Sequence, residues 1–253
     1  MAKSVLVLSG LDPCGGAGIS ADIETLNQFG VTALPIITAL TVQNTQSVKE
    51  VQAVDAELIA KQFIHLQADI NIQTVKIGLL VSGVQIQTIA ELLRKINGRT
   101  VVLDPIVKSS SKAVLLSSES IQILKQKLLP LVDVLTPNSA ELSALSTEKN
   151  EQQQVASLPC EWVLVTTTDI SKLDIQHRLY QNGKRVKNYN YKKLSGDYHG
   201  SGCTLASGIA ALLAQGLAVD DACQQALDYT YQTLLNAKSI GKMQQHPNRI
   251  FNA

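Results

Sequence analysis

The stretch His199-Gly200-Ser201-Gly202-Cys203-Thr204 joins residue types suited to phosphoryl transfer. Glycines at 200 and 202 free the backbone to turn its N–H groups toward one point, and an apolar helical pattern follows at once. The positive end of that helix and its unpaired donors would face the same point, forming an anion hole from Gly200, Ser201 and Gly202. Cys203 falls in the first helical turn, a place that lowers a thiol pKa and favours the thiolate. The bland alternative is a glycine-rich helix start with a buried cysteine. A hydrolase pairing of His199 with Cys203 would need a correctly oriented base, which a glycine-rich turn does not guarantee.

Asp104 and Glu141 are carboxylates expected at the ends of two strands. With Asn138, three residues before Glu141, they can hold Mg²⁺ through water, beside substrate phosphates. Asn-x-x-Glu also reads as a helix capping box, and the two readings are compatible. Gly10 and Gly15-Gly16-Ala17-Gly18 allow close backbone approach to a small ligand, or form a tight strand-to-helix turn. The cluster is neither Gly-x-Gly-x-x-Gly nor a P-loop with Gly-Lys-Ser/Thr. Asp22, on the helix after it, either faces that ligand or is a solvated surface residue.

The elements that must position these residues alternate strand and helix. Aliphatic runs at 5–8, 34–40, 74–77, 100–103, 134–136 and 162–166 predict strands. Helices are predicted with Ile19, Ile23 and Leu26 on one face, over 55–67 with Asp55 as cap, over 84–96 with Gly98 just past the end, and over 119–129, ended by Pro130. Two more are expected near 202–215 and 219–237. Period-two alternation over 174–180 and 185–191 about Asn182-Gly183 predicts an antiparallel hairpin at the sheet edge. The polar stretch 146–157 is expected to be a surface connection. This order implies a mainly parallel sheet with helices on both faces, whose ligands sit outside the carboxyl ends of the strands. No internal repeat or linker interrupts it, so one domain over 1–253 is expected.

Composition narrows the classes. The chain has 253 residues, with 22 Lys plus Arg against 21 Asp plus Glu, a net charge of +1 that argues against a nucleic-acid footprint. Charged residues are 17% and hydrophobic ones 45%, which excludes a disordered chain. Aromatics are only 4%, so the core is aliphatic. No apolar run approaches a membrane span and no signal peptide is evident, so a soluble, cytoplasmic protein is expected. Cys14, Cys160 and Cys223, like Cys203, lack metal-type pairing and are read as small buried hydrophobes.

Six ordered motifs together resemble the ribokinase superfamily, and within it the hydroxymethylpyrimidine/phosphomethylpyrimidine kinases of thiamine biosynthesis. They are the run from Ser9 to Asp22, Ile37-Thr38-Ala39-Leu40-Thr41-Val42-Gln43-Asn44-Thr45, Lys76-Ile77-Gly78-Leu79-Leu80, Leu103-Asp104-Pro105, Leu135-Thr136-Pro137-Asn138-Ser139-Ala140-Glu141, and the stretch from His199 to Thr204. The resemblance covers nearly the whole chain. It implies a three-layer α/β/α ribokinase-like fold, a homodimer, and MgATP-dependent phosphorylation of 4-amino-5-hydroxymethyl-2-methylpyrimidine, then of its monophosphate. It implies that Gly10, Asp22 and Gln43 contact the pyrimidine while Leu79 and Ile106 pack on its ring. Cys203 would take or relay the hydroxymethyl proton, and Gly200, Ser201 and Gly202 would cradle the transferring group. Asp104, Asn138 and Glu141 would position Mg²⁺, and Thr166 would approach the nucleotide phosphates. Thr166-Thr167-Thr168 stands where such kinases carry a Lys-Gly-Gly-like segment, Ser201 where they carry Thr, and Thr41 where they carry Val. Lys108-Ser109-Ser110-Ser111-Lys112 lacks the glycine of the usual flap, and its lysines are a candidate source of replacement charge. Two alternatives stand beside this reading: a pyridoxal kinase of the same superfamily, and a catalytically silent pyrimidine-binding sensor.

Overall fold

A computed structural model describes residues 3–107, 115–167 and 173–250. The flap lysines Lys108 and Lys112, and Thr168, lie outside the described residues. Nine strands form one sheet: β1 (Ser4–Leu11), β2 (Thr32–Gln43), β3 (Val48–Ala53), β4 (Thr74–Ile77), β5 (Thr100–Leu103), β6 (Val134–Leu135), β7 (Trp162–Val165), β8 (Asp174–Gln181) and β9 (Lys184–Lys192). Their order is β3-β2-β1-β4-β5-β6-β7-β8-β9. The six strands β2, β1, β4, β5, β6 and β7 pair in parallel. Antiparallel strands finish both edges, β3 on β2 and the β8–β9 hairpin on β7. Asn182 and Gly183 take φ of 48° and 73°, the positive values a two-residue hairpin turn needs.

Helices α1 (Gly18–Gln28), α7 (Ser201–Ala214) and α8 (Val219–Leu235) cover one face. The other carries α2 (Ala56–Asp69), α3 (Gly83–Leu93), α4 (Ser118–Ile123), α5 (Ser139–Leu145) and α6 (Glu151–Ala156). The unbroken apolar run of β1 follows from this double cover. Val5 and Val7 pack with Ile19, Leu26 and Ile209, whereas Leu6 and Leu8 pack with Phe63, Ile86 and Ile89. The layered α/β architecture and edge hairpin agree with expectation.

Several local readings are corrected. Residues 146–157 contain α6, a short helix capped by Asn150, whose side chain accepts from the Gln153 amide. β2 runs on through Thr41 to Gln43, because β3, absent from the sequence reading, pairs with its end. The helix expected over 119–129 is regular only to Ile123, widens into a π-turn over Leu124–Leu128, and closes in a 3₁₀ turn at Pro130. Helix α3 ends at Leu93, so Ile96 is buried from the turn that follows. Cys14 is only half-buried, unlike the other three cysteines.

Candidate functional site

The sheet reverses its order of connection beside β1, and a crevice opens there above the carboxyl ends of the parallel strands. Backbone bonds extend the ladder one residue past each strand. Gly78 N donates to Leu8 O (2.8 Å), Asp104 N to Ile77 O (2.9 Å), Thr136 N to Leu103 O (3.0 Å) and Thr166 N to Pro137 O (2.9 Å). Residues that look unrelated in sequence are thereby set in a row along one edge. The crevice is a cavity of about 770 Å³, large enough for two small ligands side by side.

Of the predicted residues, Gly10, Gln43, Leu79 and Ile106 line the cavity. Asp104, Asn138, Glu141 and Thr166 line the cavity as well, and so do Gly200, Ser201, Gly202 and Cys203. A Cβ on Gly10 would come 2.9 Å from Leu79 Cδ2, so the glycine leaves room for Leu79 at the cavity wall. Gln43 keeps its side-chain amide without a protein partner among the described residues, at the end of β2 where β3 holds it.

Asp22 is a correction. Its side chain is fully buried between α1, the sheet and α7 and does not reach the cavity. Oδ1 accepts from Lys76 Nζ (2.7 Å) and from Ser207 Oγ (2.7 Å). Lys76, in the middle of β4, is equally buried. Burial opposes its charge, but Asp22, with Cys203 and Asp104 nearby, holds its pKa above the ordinary lysine value. An ionised lysine in an apolar four-residue strand was the available signal for this pair.

Cys203 requires a second correction. It stands in the first turn of α7, as expected, yet its thiol is pushed up to about 12. Burial is the main cause. Lys76 favours the anion, but Asp22 and Asp104 oppose it. The helix dipole therefore does not produce a thiolate. The neutral Cys203 thiol instead lies close to the Asp104 carboxylate and helps to hold it ionised.

Burial raises the Asp104 pKa, with Lys76 pulling it down and Asp22 pushing it up. Burial and the Asp104 charge raise Glu141 as well. The capping box is present. Asn138 Oδ1 accepts from the Ala140 and Glu141 amides (2.9 Å each), and Glu141 Oε2 accepts from Asn138 N (2.9 Å). Among the described residues no cluster of three or more His, Cys, Asp or Glu side chains suits a metal. Two hard carboxylates, each destabilised by burial and near the other, match a cation that takes few protein ligands and completes its shell with water and phosphate.

Gly200 caps α7 at φ 91°. Its turn meets the loop after β1, which sequence reasoning treated as glycines alone. Asp12 organises that loop: Oδ1 accepts from Cys14 N (2.8 Å), and Oδ2 from Gly16 N (3.0 Å) and Ala17 N (2.9 Å). His199 Nε2 lies 3.1 Å from the same Oδ2. Burial works against the Asp12 charge, but His199 and the backbone donors win and hold it well below the usual carboxylate range. The Asp-Pro dipeptide just past a strand was the only trace of this role.

At the opposite end from Gln43, the cavity is bounded by His177, Tyr191 and Tyr231. The Tyr191 ring packs at a tilt against Tyr231 and His177, with centroids 5.1 Å and 5.8 Å away. Lys193 is the one lysine or arginine among the described cavity residues. Beside Thr166, Thr167 Oγ1 donates to Gln176 O and accepts from Arg178, whose guanidinium is also held by Glu151.

A mainly parallel sheet covered on both faces, with its ligand cavity between the β2–β3 arm and the start of α7, defines a ribokinase-like protein. A pyridoxal kinase from Bacillus subtilis, solved as an ADP complex, superposes with a TM-score of 0.89 at 23% identity over 98% of each chain. A phosphomethylpyrimidine kinase from Clostridium difficile gives 0.79 at 30% identity, covering 92% of this chain and 99% of that one. A hydroxymethylpyrimidine/phosphomethylpyrimidine kinase from Aquifex aeolicus is 32% identical over 94% of this chain and 96% of its own length. Residues 12–248 match the family model described as phosphomethylpyrimidine kinase, and the chain belongs to that family.

Proposed function

We propose that the protein transfers the γ-phosphoryl group of ATP to 4-amino-5-hydroxymethyl-2-methylpyrimidine, and then to the resulting monophosphate, in thiamine biosynthesis. Relatives named for both activities support this reading. The observation that carries it is a juxtaposition: the unpartnered amide of Gln43 shares one cavity with the open start of α7. A carboxamide offers both a donor and an acceptor, as the aminopyrimidine edge requires. Gly10, Leu79 and Ile106 form the wall for the ring. Asp22 supports that wall from behind through Lys76 and does not touch substrate.

The backbone N–H groups of residues 200–202 meet the transferring phosphoryl. The alcohol oxygen bonds to phosphorus as the bond to the β-phosphate oxygen breaks. The alcohol proton is relayed by the Cys203 thiol to an oxygen of the transferred phosphoryl group. Little covalent help is needed in so loose a transition state, so placement and charge dominate. Asp104 and Glu141, with Asn138 holding Glu141, would bind Mg²⁺, which neutralises phosphate charge. Thr166 and Lys193 face the phosphates, and the Tyr191–Tyr231 aromatic end suits the nucleoside base.

The reading includes a homodimer in the cytoplasm. Leu40 and Val42 on β2, 42% and 55% exposed, support a pairing surface on that arm. Among the described residues no helix is long and apolar enough to cross a membrane.

The test is ATP-coupled turnover with the alcohol, its monophosphate and pyridoxal. Turnover of both pyrimidines well above pyridoxal is expected. Preference for pyridoxal would replace the substrate, and pyrimidine binding without ATP consumption would leave a sensor.

A further inference from the structure

The segment that follows α8 has almost no regular structure, yet it is bound tightly across the site. Gln245 N donates to Asp197 O (2.8 Å) and His199 N to Gln245 O (3.0 Å), so the segment fixes the approach to the anion hole. Gln244 N donates to Thr45 O (3.2 Å), just past Gln43. Farther along, Asn248 N donates to Thr233 O (3.0 Å), and Arg249 O accepts from Tyr229 Oη (2.9 Å). These anchors turn the Arg249 side chain inward, where the residue is only 2% exposed.

The guanidinium reaches three separate elements. Nε donates to Thr204 Oγ1 (2.9 Å), in the first turn of α7. Nη1 donates to Glu24 Oε2 (3.1 Å) on α1, and Nη2 donates to the Gly16 carbonyl in the loop after β1. Thr204 Oγ1 passes the contact on by donating to Gly200 O (2.8 Å). A Cβ on Gly200 would strike both Gly16 O and Arg249 Nη2, so the fork fills the junction of the two turns. Arg249 does not line the cavity.

We propose that Arg249 is a positioning residue for phosphoryl transfer, which locks the Gly16 turn to Gly200 so that the backbone donors of residues 200–202 converge. The proposal rests on the kinase reading above. A planar fork can hold a hydroxyl, a carbonyl and a carboxylate at fixed angles, and a lysine of equal charge cannot. A misplacement of about 1 Å in a donor set costs on the order of 100-fold in rate, even when the mutated residue is remote from the chemistry.

The test compares R249K, R249A, T204V and the double variant R249K/T204V in the full chain. We expect kcat to fall about 10-fold or more in R249K and in T204V, with KM for the pyrimidine within about threefold of the parent, the signature of a lost transition-state interaction. The double variant should lose little beyond either single one, because both break one path. An unchanged kcat in R249K and T204V, a loss confined to KM, or full additivity would overturn the proposal. If R249A does not fold, R249K and T204V decide alone. A second measurement does not depend on the acceptor: calorimetric binding of ADP with and without tetrafluoroaluminate. The parent should gain affinity with the phosphoryl mimic, and R249K should lose that gain. An equal gain in both, or none in the parent, overturns the role of Arg249. Loss of turnover by the parent with every alcohol overturns only the kinase reading.

Discussion

Lys76 Nζ lies 2.7 Å from Asp22 Oδ1, and neither side chain has any exposed surface. The pair sits behind the cavity, with Asp104 and Cys203 close enough to feel its field. Removing one member strands the other charge where water cannot reach it. Lys76→Met and Asp22→Asn should each cost about 3–5 kcal/mol, and Lys76→Met/Asp22→Leu should recover much of that loss. Urea unfolding of the four proteins measures it, and single variants as stable as the parent would deny the pair its role.

The neutral Cys203 thiol makes a reactivity prediction. A pKa near 12 leaves it protonated throughout the physiological range. Alkylation by iodoacetamide should therefore be slow at pH 7, climb steadily beyond pH 9, and lag behind Cys14, which is half-buried where Cys203 is buried. Peptide mass spectrometry resolves the two sites. Cys203→Ala should lower kcat by about 100-fold with the fold retained, in keeping with loss of a proton relay.

Glu141 carries a pKa raised by burial and by Asp104. The folded state then holds a proton that the unfolded chain releases near pH 4.5. Stability from this group is present at low pH and is lost as pH rises toward the folded value. The stability gained by Glu141→Gln over the parent should therefore grow from pH 5 upward without Mg²⁺. Added Mg²⁺ should narrow that gap, since the cation stabilises only the parent's carboxylate. Thermal unfolding across pH, with and without Mg²⁺, reads both effects.

Asp12 has the opposite sign. Its carboxyl is held below the ordinary range, so its contribution is present above the unfolded value of 3.8 and is lost as pH falls further. Four donors converge on it. Asp12→Ala should cost about 2–4 kcal/mol at pH 7, typical of charge-assisted hydrogen bonds lost together. The cost should shrink toward pH 3. A pH-independent cost would show that the loop is held by other means.

The glycine at the α7 cap gives a steric prediction. Gly200→Ala places a Cβ against the Gly16 carbonyl at a φ of 91°, whereas a Cβ on Gly202 would stand 3.3 Å from Asp104 Oδ2. Gly200→Ala should nearly abolish turnover, by about 100-fold or more, and Gly202→Ala should be milder in stability. Steady-state kinetics and unfolding midpoints rank the two.

Much of this molecule could be read directly from the chain. The strands 74–77 and 100–103 appear at their expected limits, because continuous apolar runs of that length have few other uses in a doubly covered sheet. Asp55 caps α2, Asn138 and Glu141 form their box, and Asn182-Gly183 turns its hairpin, because each depends on neighbours within four residues. The cavity residues were legible for a related reason: they follow strands, and parallel strands point their carboxyl ends to one side.

What tertiary structure alone decided was charge and long-range contact. Asp22 looks the same in sequence whether it meets solvent, substrate or Lys76, and only packing of α1 on α7 chose the lysine. The Cys203 position predicted a thiolate from its helix, but burial beside two carboxylates outweighs a helix end. β3 exists because β2 offers it an edge, and Arg249 matters because a segment more than two hundred residues away returns to Gly16. Local patterns encode elements and caps through short-range sterics and hydrogen bonds. Desolvation, ion pairing and the meeting of distant turns depend on the whole fold, and they set the electrostatics of this site.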